Sequence, residues 1–237
     1  GYHADDDIIN GFSQVHIHGT GAAEYGMLLF MPIKEFEAGM TTESGYHSVF
    51  SKDSEVMQPG YYAVTLDDPG IDVELTATER CAYHRYTYAP QAERGHVVVD
   101  LSHAIAGCSV SVGHVEVEPM QAEVSGWLLY HGSLTGRSGG VKLYFAARFN
   151  QQLDEWTLFV DDTLQAGASA ADGEDVGAVV AVNPAAPVEV QIGLSYVDVA
   201  GARQNLENEL FGRDFESVRE DAWETWSSAL SRVMVEG

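Results

Sequence analysis

The sequence is poor in cysteine, in basic residues and in long apolar runs, and each shortage removes a class of protein. Cys81 and Cys108 are the two cysteines in 237 residues. They are too few for a disulfide framework and lack the CxxC spacing of a zinc or redox site. Two buried free thiols are the commoner state for such residues, and a single bridge is the alternative, so the redox compartment stays open. Lys and Arg number 12 against 36 Asp and Glu, a formal net charge of −24. The summed field of such a chain repels phosphate backbones and anionic membranes, which argues against nucleic acid as a partner. No run approaches the roughly 18 apolar residues of a membrane-spanning helix. Gly1 opens directly into polar sequence, without the pattern of a signal peptide.

What is present is a folding composition, 45% hydrophobic and 10% aromatic, richer in large apolar side chains than disordered acidic chains are. From Gly26 to about Val199, short runs of β-branched and aromatic residues alternate with Gly, Asp, Asn and Pro breaks, the pattern of many short antiparallel strands. Strands are expected at 61–66, 71–78, 96–101, 110–117, 127–130, 141–149, 156–160, 176–182 and 188–195. That many strands form two packed sheets more readily than one. Asp67-Asp68-Pro69-Gly70 supplies a turn between the first two, with Pro69 fixing φ and Gly70 accepting a positive one. The Ala-, Gly-, Asp- and Ser-rich stretch 165–177 reads as a mobile loop. The fold class is therefore mainly β, a large antiparallel β-sandwich over 1–200.

Beyond Gly201 the period changes. Ala202, Leu206 and Leu210, then Phe215, Val218, Ala222, Trp226, Leu230 and Val233, recur at helical spacing, so 201–237 is expected to be a helical linker segment. Asp214 and Glu216 near the start of the second stretch and Arg232 near its end suit the helix dipole. Trp223 and Trp226 require a partner surface, either the sandwich or an adjoining domain.

Three segments together resemble the amino-terminal domain of glycoside hydrolase family 92. The first, Gly11-Phe12-Ser13-Gln14-Val15-His16-Ile17-His18-Gly19-Thr20-Gly21, is similar to the family's Gly-Phe-Ser-His-Thr-His-Leu-Ser-Gly-Thr-Gly and departs from it at Gln14, Val15 and His18; it follows Gly1-Tyr2-His3 at a family-like distance. The second runs from Phe50 through Pro59-Gly60-Tyr61-Tyr62 and Glu74-Leu75-Thr76-Ala77-Thr78-Glu79-Arg80 to His84-Arg85-Tyr86-Thr87. The third comprises Ile192 to Val197, Ala202 to Leu206 and Glu209, then Trp226, Leu230, Val235 and Gly237.

The resemblance implies a calcium-dependent, inverting exo-α-mannosidase in which this β-sandwich leads into an (α/α)6 catalytic barrel. The acid, the base and most calcium ligands are then expected in the barrel, with a glycine-rich segment upstream of Gly1 helping to shape the sugar pocket. Such enzymes act on mannose-containing glycans, and the resemblance places them in the periplasm, in secretion or at the cell surface. This chain alone is expected to be inactive and to hold no metal of its own.

The residues fit that division of labour. Asp5-Asp6-Asp7, Asp67-Asp68, Asp161-Asp162 and Glu174-Asp175 are expected by composition in so acidic a chain and read as solvated turns, so no catalytic residue is assigned. His16 and His18 share a strand face but lack a third ligand, which favours a hydrogen-bonded or interface role over a metal site. Gly11 to Gly21 is the candidate border of the sugar pocket, because glycine permits close backbone approach and His or Thr can bond hydroxyls. Tyr2, His3, His16 and Thr20 are accordingly the candidate substrate-binding residues. Arg80, His84 and Arg85 with Glu74 and Glu79 read as a structural ion-pair network on a strand. Tyr61, Tyr62, Tyr83, Tyr86 and Tyr88 are either core aromatics or a sugar-stacking platform. The platform belongs to an alternative function, an autonomous carbohydrate-binding module without hydrolase activity; a structural assembly domain is a third.

Overall fold

The computed structural model describes residues 5–17, 21–105 and 107–234. In chain order the first strands are β1 (Ile8–Ile9), β2 (Phe12–His16), β3 (Tyr25–Ile33), β4 (Ser48–Val49), β5 (Val56–Gln58), β6 (Tyr61–Leu66), β7 (Ile71–Ala77) and β8 (Cys81–Tyr88). There follow β9 (Gly95–Asp100), β10 (Ser109–Glu118), β11 (Glu123–His131), β12 (Val141–Phe149), β13 (Trp156–Val160), β14 (Thr163–Gln165), β15 (Ala170–Gly173), β16 (Val176–Val182) and β17 (Val188–Ser195). A single turn, α1 (Glu43–Tyr46), lies between β3 and β4, and two longer helices, α2 (Val199–Glu209) and α3 (Phe215–Leu230), close the described chain.

Nine strands form one sheet in the order β15-β10-β11-β12-β17-β8-β7-β6-β5, six form a second in the order β14-β13-β16-β9-β3-β2, and β1 pairs with β4 as a ribbon. Every pairing is antiparallel. The expected strands are all present, and the Asp67–Gly70 turn joins β6 to β7 with Gly70 at φ 66°. The β-sandwich is thus confirmed, with a buried core between the sheets that draws Val64, Val73, Tyr86, Leu128 and Phe145 from the large sheet and Met27, Phe30, Val97, Leu158 and Val180 from the small one.

One local expectation fails. Residues 170–173, inside the stretch read as a loop, form β15 and pair with β10 through Gly113↔Gly173 and Glu116↔Ala170. Ala-Ala-Asp-Gly has little intrinsic strand preference; the open edge of β10 supplies the hydrogen bonds that make it a strand.

Both sheets are covered on part of their outer face. Over the small sheet lies the segment around Tyr46, whose buried hydroxyl donates to Asp100 (2.6 Å). Over the large sheet lie α2 and α3, joined to it by a second apolar cluster of Cys81, Tyr83, Ala146, Leu206, Phe215 and Val218. Asp198 and Asp214 cap these helices by accepting from Gly201 N (2.6 Å) and Ser217 N (2.9 Å). Gly193 allows the approach of α2, since a Cβ there would sit 2.3 Å from the Ala202 carbonyl oxygen.

Ion pairs reinforce the docking. Buried Glu123 accepts from Arg148 (3.0 Å) and Arg203 (2.7 Å), tying β11 and β12 to α2. Arg85 bridges Glu74 on β7 and Glu216 on α3, while Arg80 reaches Glu209 (3.0 Å). The Arg80, Arg85 and Glu74 signature is therefore structural. Trp223 and Trp226, by contrast, are 49% and 52% exposed: α3 is buried through Phe215, Val218 and Ala222 in its first half, and Trp226 continues that stripe beyond the part of the helix that the sheet covers.

Candidate functional site

Strand β2 carries the first family-like segment and pairs with β3 at the edge of the small sheet. The register shifts between Ser13 and Gln14, so that Leu28 is bulged out of the ladder at φ 55°. Val15 (φ 55°) and Tyr25 (φ 62°) are also left-handed. Three of the five positive-φ non-glycine residues described thus fall in one hairpin. A β-branched residue such as Val15 is strongly disfavoured there, and strain of this kind, about 1–3 kcal/mol per residue, persists only where the surroundings over-determine it.

Those surroundings are visible. Gln14 is buried, donates to the Phe12 carbonyl (3.0 Å) and lies 3.4 Å from His84 Nε2, while His84 Nδ1 is 2.7 Å from the Tyr86 hydroxyl. One assignment satisfies all three contacts: Gln14 donates to His84 Nε2, and His84 Nδ1–H donates to Tyr86. Phe12 and Phe30 meet the imidazole edge-on, and burial pushes its pKa down to about 3, so it is neutral. This polar chain crosses the core from β8 to β2 and pins the hairpin. The departure from the family pattern at Gln14 therefore falls on an internal anchor, not on a surface contact.

His16, at the exposed end of β2, donates from Nε2 to the Ser13 carbonyl (2.8 Å). Opposite it, Gly26 is at φ 73°, and a Cβ there would be 2.8 Å from Ile105 Cγ2. Gly11 is equally constrained, since a Cβ would meet Leu29 Cδ2 at 2.4 Å. Among the candidate residues, His16 is thus placed at an exposed, tightly packed turn of backbone. Tyr2, His3 and Thr20 lie outside the described residues, as does His18.

Tertiary packing adds residues that the motifs did not single out. Tyr130 of the large sheet stacks on Tyr25 (centroids 6.2 Å, planes 17° apart) and donates to its carbonyl oxygen (2.9 Å). Glu24 is buried and accepts from Leu134 N (2.6 Å) and Thr135 Oγ1 (2.5 Å), which holds the β11–β12 loop against β3. Burial raises the Glu24 pKa, but these hydrogen bonds outweigh it and leave the carboxyl below its ordinary range. A carboxylate so occupied is scaffold. Tyr196, after β17, also approaches: burial and the neighbouring Tyr25 phenol push its hydroxyl pKa up. Tyr25 and Glu24 follow the first motif within a few residues and Tyr196 lies in the third, which is the signal that pointed here. Nothing local in Tyr130 or Leu134 does so.

This end of the sandwich consequently presents an exposed imidazole, strained and glycine-bearing backbone, and an apolar rim of exposed Ile17, Leu134, Tyr196 and Val197. It can hydrogen-bond and border a ligand. The other candidates resolve differently. Tyr83, Tyr86 and Tyr88 are buried, while Tyr61 and Tyr62 donate to Glu74 and Glu55, so the tyrosines form no platform. The four acidic runs are exposed. Cys81 and Cys108 are both free thiols.

The family description "Glycosyl hydrolase family 92 N-terminal domain" matches residues 1–195. No curated protein matches the chain. Among solved structures, a family GH92 α-mannosidase from Bacteroides thetaiotaomicron superposes with a TM-score of 0.88 at 27% identity, over 100% of this chain and 33% of that one. The GH92 family glycosyl hydrolase ccman5 gives 0.86 at 28%, over 100% and 32%. A GH92 inverting mannosidase from Bacteroides thetaiotaomicron VPI-5482 shares the fold, with a TM-score of 0.85 at 24% identity over 100% and 30%. The chain spans about one third of the length of these enzymes. With the family description matching residues 1–195 and the fold superposing over the whole chain on such relatives, the chain belongs to the glycosyl hydrolase family 92 N-terminal domain family.

Proposed function

We propose that this chain is the amino-terminal wall of the active site of an α-mannosidase that removes terminal α-linked mannose from glycans. The observation that carries the reading is the hairpin end: exposed His16 on backbone that is strained, glycine-dependent and pinned through Gln14 to the core. A site border needs such pre-organisation, and a free loop does not. One relative of the same fold was solved with mannoimidazole bound, which supports mannose as the sugar.

In this proposal the rim of Ile17, Leu134, Tyr196 and Val197 packs against an (α/α)6 barrel of the same parent chain, toward which 201–237 leads. Exposed Trp223 and Trp226 supply further apolar surface for that contact. The barrel supplies the acid and the base; with inversion, the two carboxyl groups stand about 6.5–9.5 Å apart to admit water. Calcium belongs to the barrel. Among the described residues no group of three or more His, Cys, Asp or Glu is disposed to hold an ion. Within the pocket, Tyr2, His3, His16 and Thr20 hydrogen-bond sugar hydroxyls, and the enzyme acts in the periplasm, in secretion or at the cell surface.

The test is kinetic, on the enzyme that joins this domain to its barrel. His16→Ala is expected to lower kcat/KM for an α-mannoside by roughly 10- to 100-fold, the loss of one or two polar contacts to the transition state. Unchanged kcat/KM in His16→Ala and in Ala variants of Tyr2, His3 and Thr20 would refute the assignment.

A further inference from the structure

The ladder of the small sheet sets Ser13, Leu29 and Asp100 side by side on β2, β3 and β9. Paired residues share a face of their sheet. Here it is the outer face, where Tyr46 of α1 bonds Asp100. From Asp100 the chain leaves β9 and returns as β10, so residues 101–108 form a short connection at this edge of the sandwich.

Both ends of the connection are tied down. Ser102 donates from N and Oγ to Asp100 Oδ1 (2.8 and 2.6 Å), and Cys108 Sγ donates to the Ala23 carbonyl oxygen (3.3 Å). The Cys108 N–H closes a turn on the Ile105 carbonyl (3.0 Å). Between these ties His103 Nδ1–H donates to Glu43 Oε1 (2.5 Å), and Glu43 Oε2 accepts from the side-chain amide of Asn10 (2.6 Å). The bond from His103 outweighs the cost of burial and holds the Glu43 carboxyl below its ordinary range. The His103 side chain is only 10% exposed, so solvent screens this contact less than it screens a surface pair. One carboxylate of α1 thus joins the chain entering β2, at the residue before Gly11, to the connection leaving β9.

Ile105 is the one large aliphatic side chain in 102–108. Its Cγ2 lies 2.8 Å from the point where a Cβ of Gly26 would stand, and His16 Cε1 and Nδ1 lie 3.8 Å from the same point. The methyl group and the imidazole therefore converge over the space that Gly26 leaves open. With Nε2 bonded to the Ser13 carbonyl and Ile105 close beside the ring, the orientation of His16 depends on where Ile105 is held. That is set two residues away, by His103.

We propose that His103, gripped by Glu43, is a positioning residue for His16: it seats Ile105 over Gly26, and Ile105 fixes the imidazole at the border of the sugar pocket. The proposal rests on the reading of His16 as part of that border. A residue that acts through another has no effect once the other is gone, which separates positioning from general support of the fold.

The test is a double-mutant cycle on the enzyme that joins this domain to its barrel, with α-mannobiose as substrate. His103→Ala is expected to lower kcat/KM by about fivefold in the native background and to add nothing to His16→Ala. His103→Asn, which keeps a donor at the place of Nδ1, should recover most of the loss. Ile105→Ala leaves the His103–Glu43 pair in place and should reproduce it, so the test survives a His103 variant that fails to fold. In the 237-residue chain alone, the Cε1–H resonance of His16, assigned by its loss in His16→Ala, should move in both His103→Ala and Ile105→Ala. Equal losses of kcat/KM with and without His16, or a His16 resonance that neither variant moves, would overturn the inference. A silent His16→Ala would instead sink the active-site reading, and the resonance would still report whether His103 orients His16.

Discussion

His84 illustrates how one residue couples stability, pH and the site. Its ring lies in the core between Phe12, Phe30 and Tyr86, and burial lowers its pKa from 6.5 to about 3. The unfolded chain therefore binds a proton there at a pH where the folded chain does not. The stabilisation from keeping the ring neutral is fully present above about pH 6.5 and is lost as the pH falls toward about 3. Chemical denaturation between those limits should show His84 contributing up to about 1.4 kcal/mol per pH unit, and His84→Phe should remove that part of the slope. A slope identical in the variant would mean that His84 is already protonated in the fold. Gly11 makes the same point sterically: with Leu29 Cδ2 2.4 Å from a Cβ and φ at 153°, Gly11→Ala should cost about 1–3 kcal/mol in equilibrium unfolding.

At the scale of elements, the informative contacts are those that seat the helices. Strand β8 carries residues with opposite duties: His84 and Tyr86 point into the core, whereas Cys81, Tyr83 and Arg85 face α2 and α3. That alternation is why a strand rich in Tyr, His and Arg can be almost wholly buried. Arg85 lies over the Phe215 ring (4.1 Å) and bonds Glu74 and Glu216, so its charge is stabilised rather than stranded. Arg85→Ala should therefore loosen α3 before it unfolds the sandwich, with faster hydrogen exchange across 215–230 and little change in β9 or β16. Uniformly faster exchange in all elements would show instead that helix and sheet unfold together. Glu123 plays the matching part for α2. Glu123→Ala leaves Arg148 and Arg203 without their shared carboxylate and should cost roughly 2–3 kcal/mol.

For the whole molecule, charge and exposed apolar surface pull in different directions. A net charge of −24 favours solubility and works against compaction. Screening should ease that self-repulsion, so Tm is expected to rise between about 0.02 and 0.5 M NaCl; a fall would mean that the ion pairs on Arg85, Arg148 and Arg203 outweigh the repulsion. Trp226 is half exposed and takes no part in the cluster beneath α3. Trp226→Ser should accordingly change the stability of this chain by no more than about 0.5 kcal/mol, yet weaken its association with the proposed barrel. A large loss of stability in the chain alone would place that tryptophan in the fold instead.

Strand positions, the turn at Gly70, the two helical stretches and the family motifs were all legible in the sequence, because each rests on local periodicity, local backbone preference or a fixed order of side chains. The edge strand at Ala170–Gly173 was not legible, because its hydrogen bonds come from β10 and not from its own residues. Nor was the convergence of Tyr25, Glu24, Tyr130 and Leu134, which are brought together from two sheets across more than a hundred positions of chain. The tertiary structure also decided which aromatics were core and which tryptophans stayed exposed, since a strand or helix pattern shows which side chains share a face but not what covers that face. Sequence alone thus determined the sandwich and its lineage; packing alone determined that Gln14 is an anchor, that His16 is presented to solvent, and that Ile105 approaches its ring over Gly26.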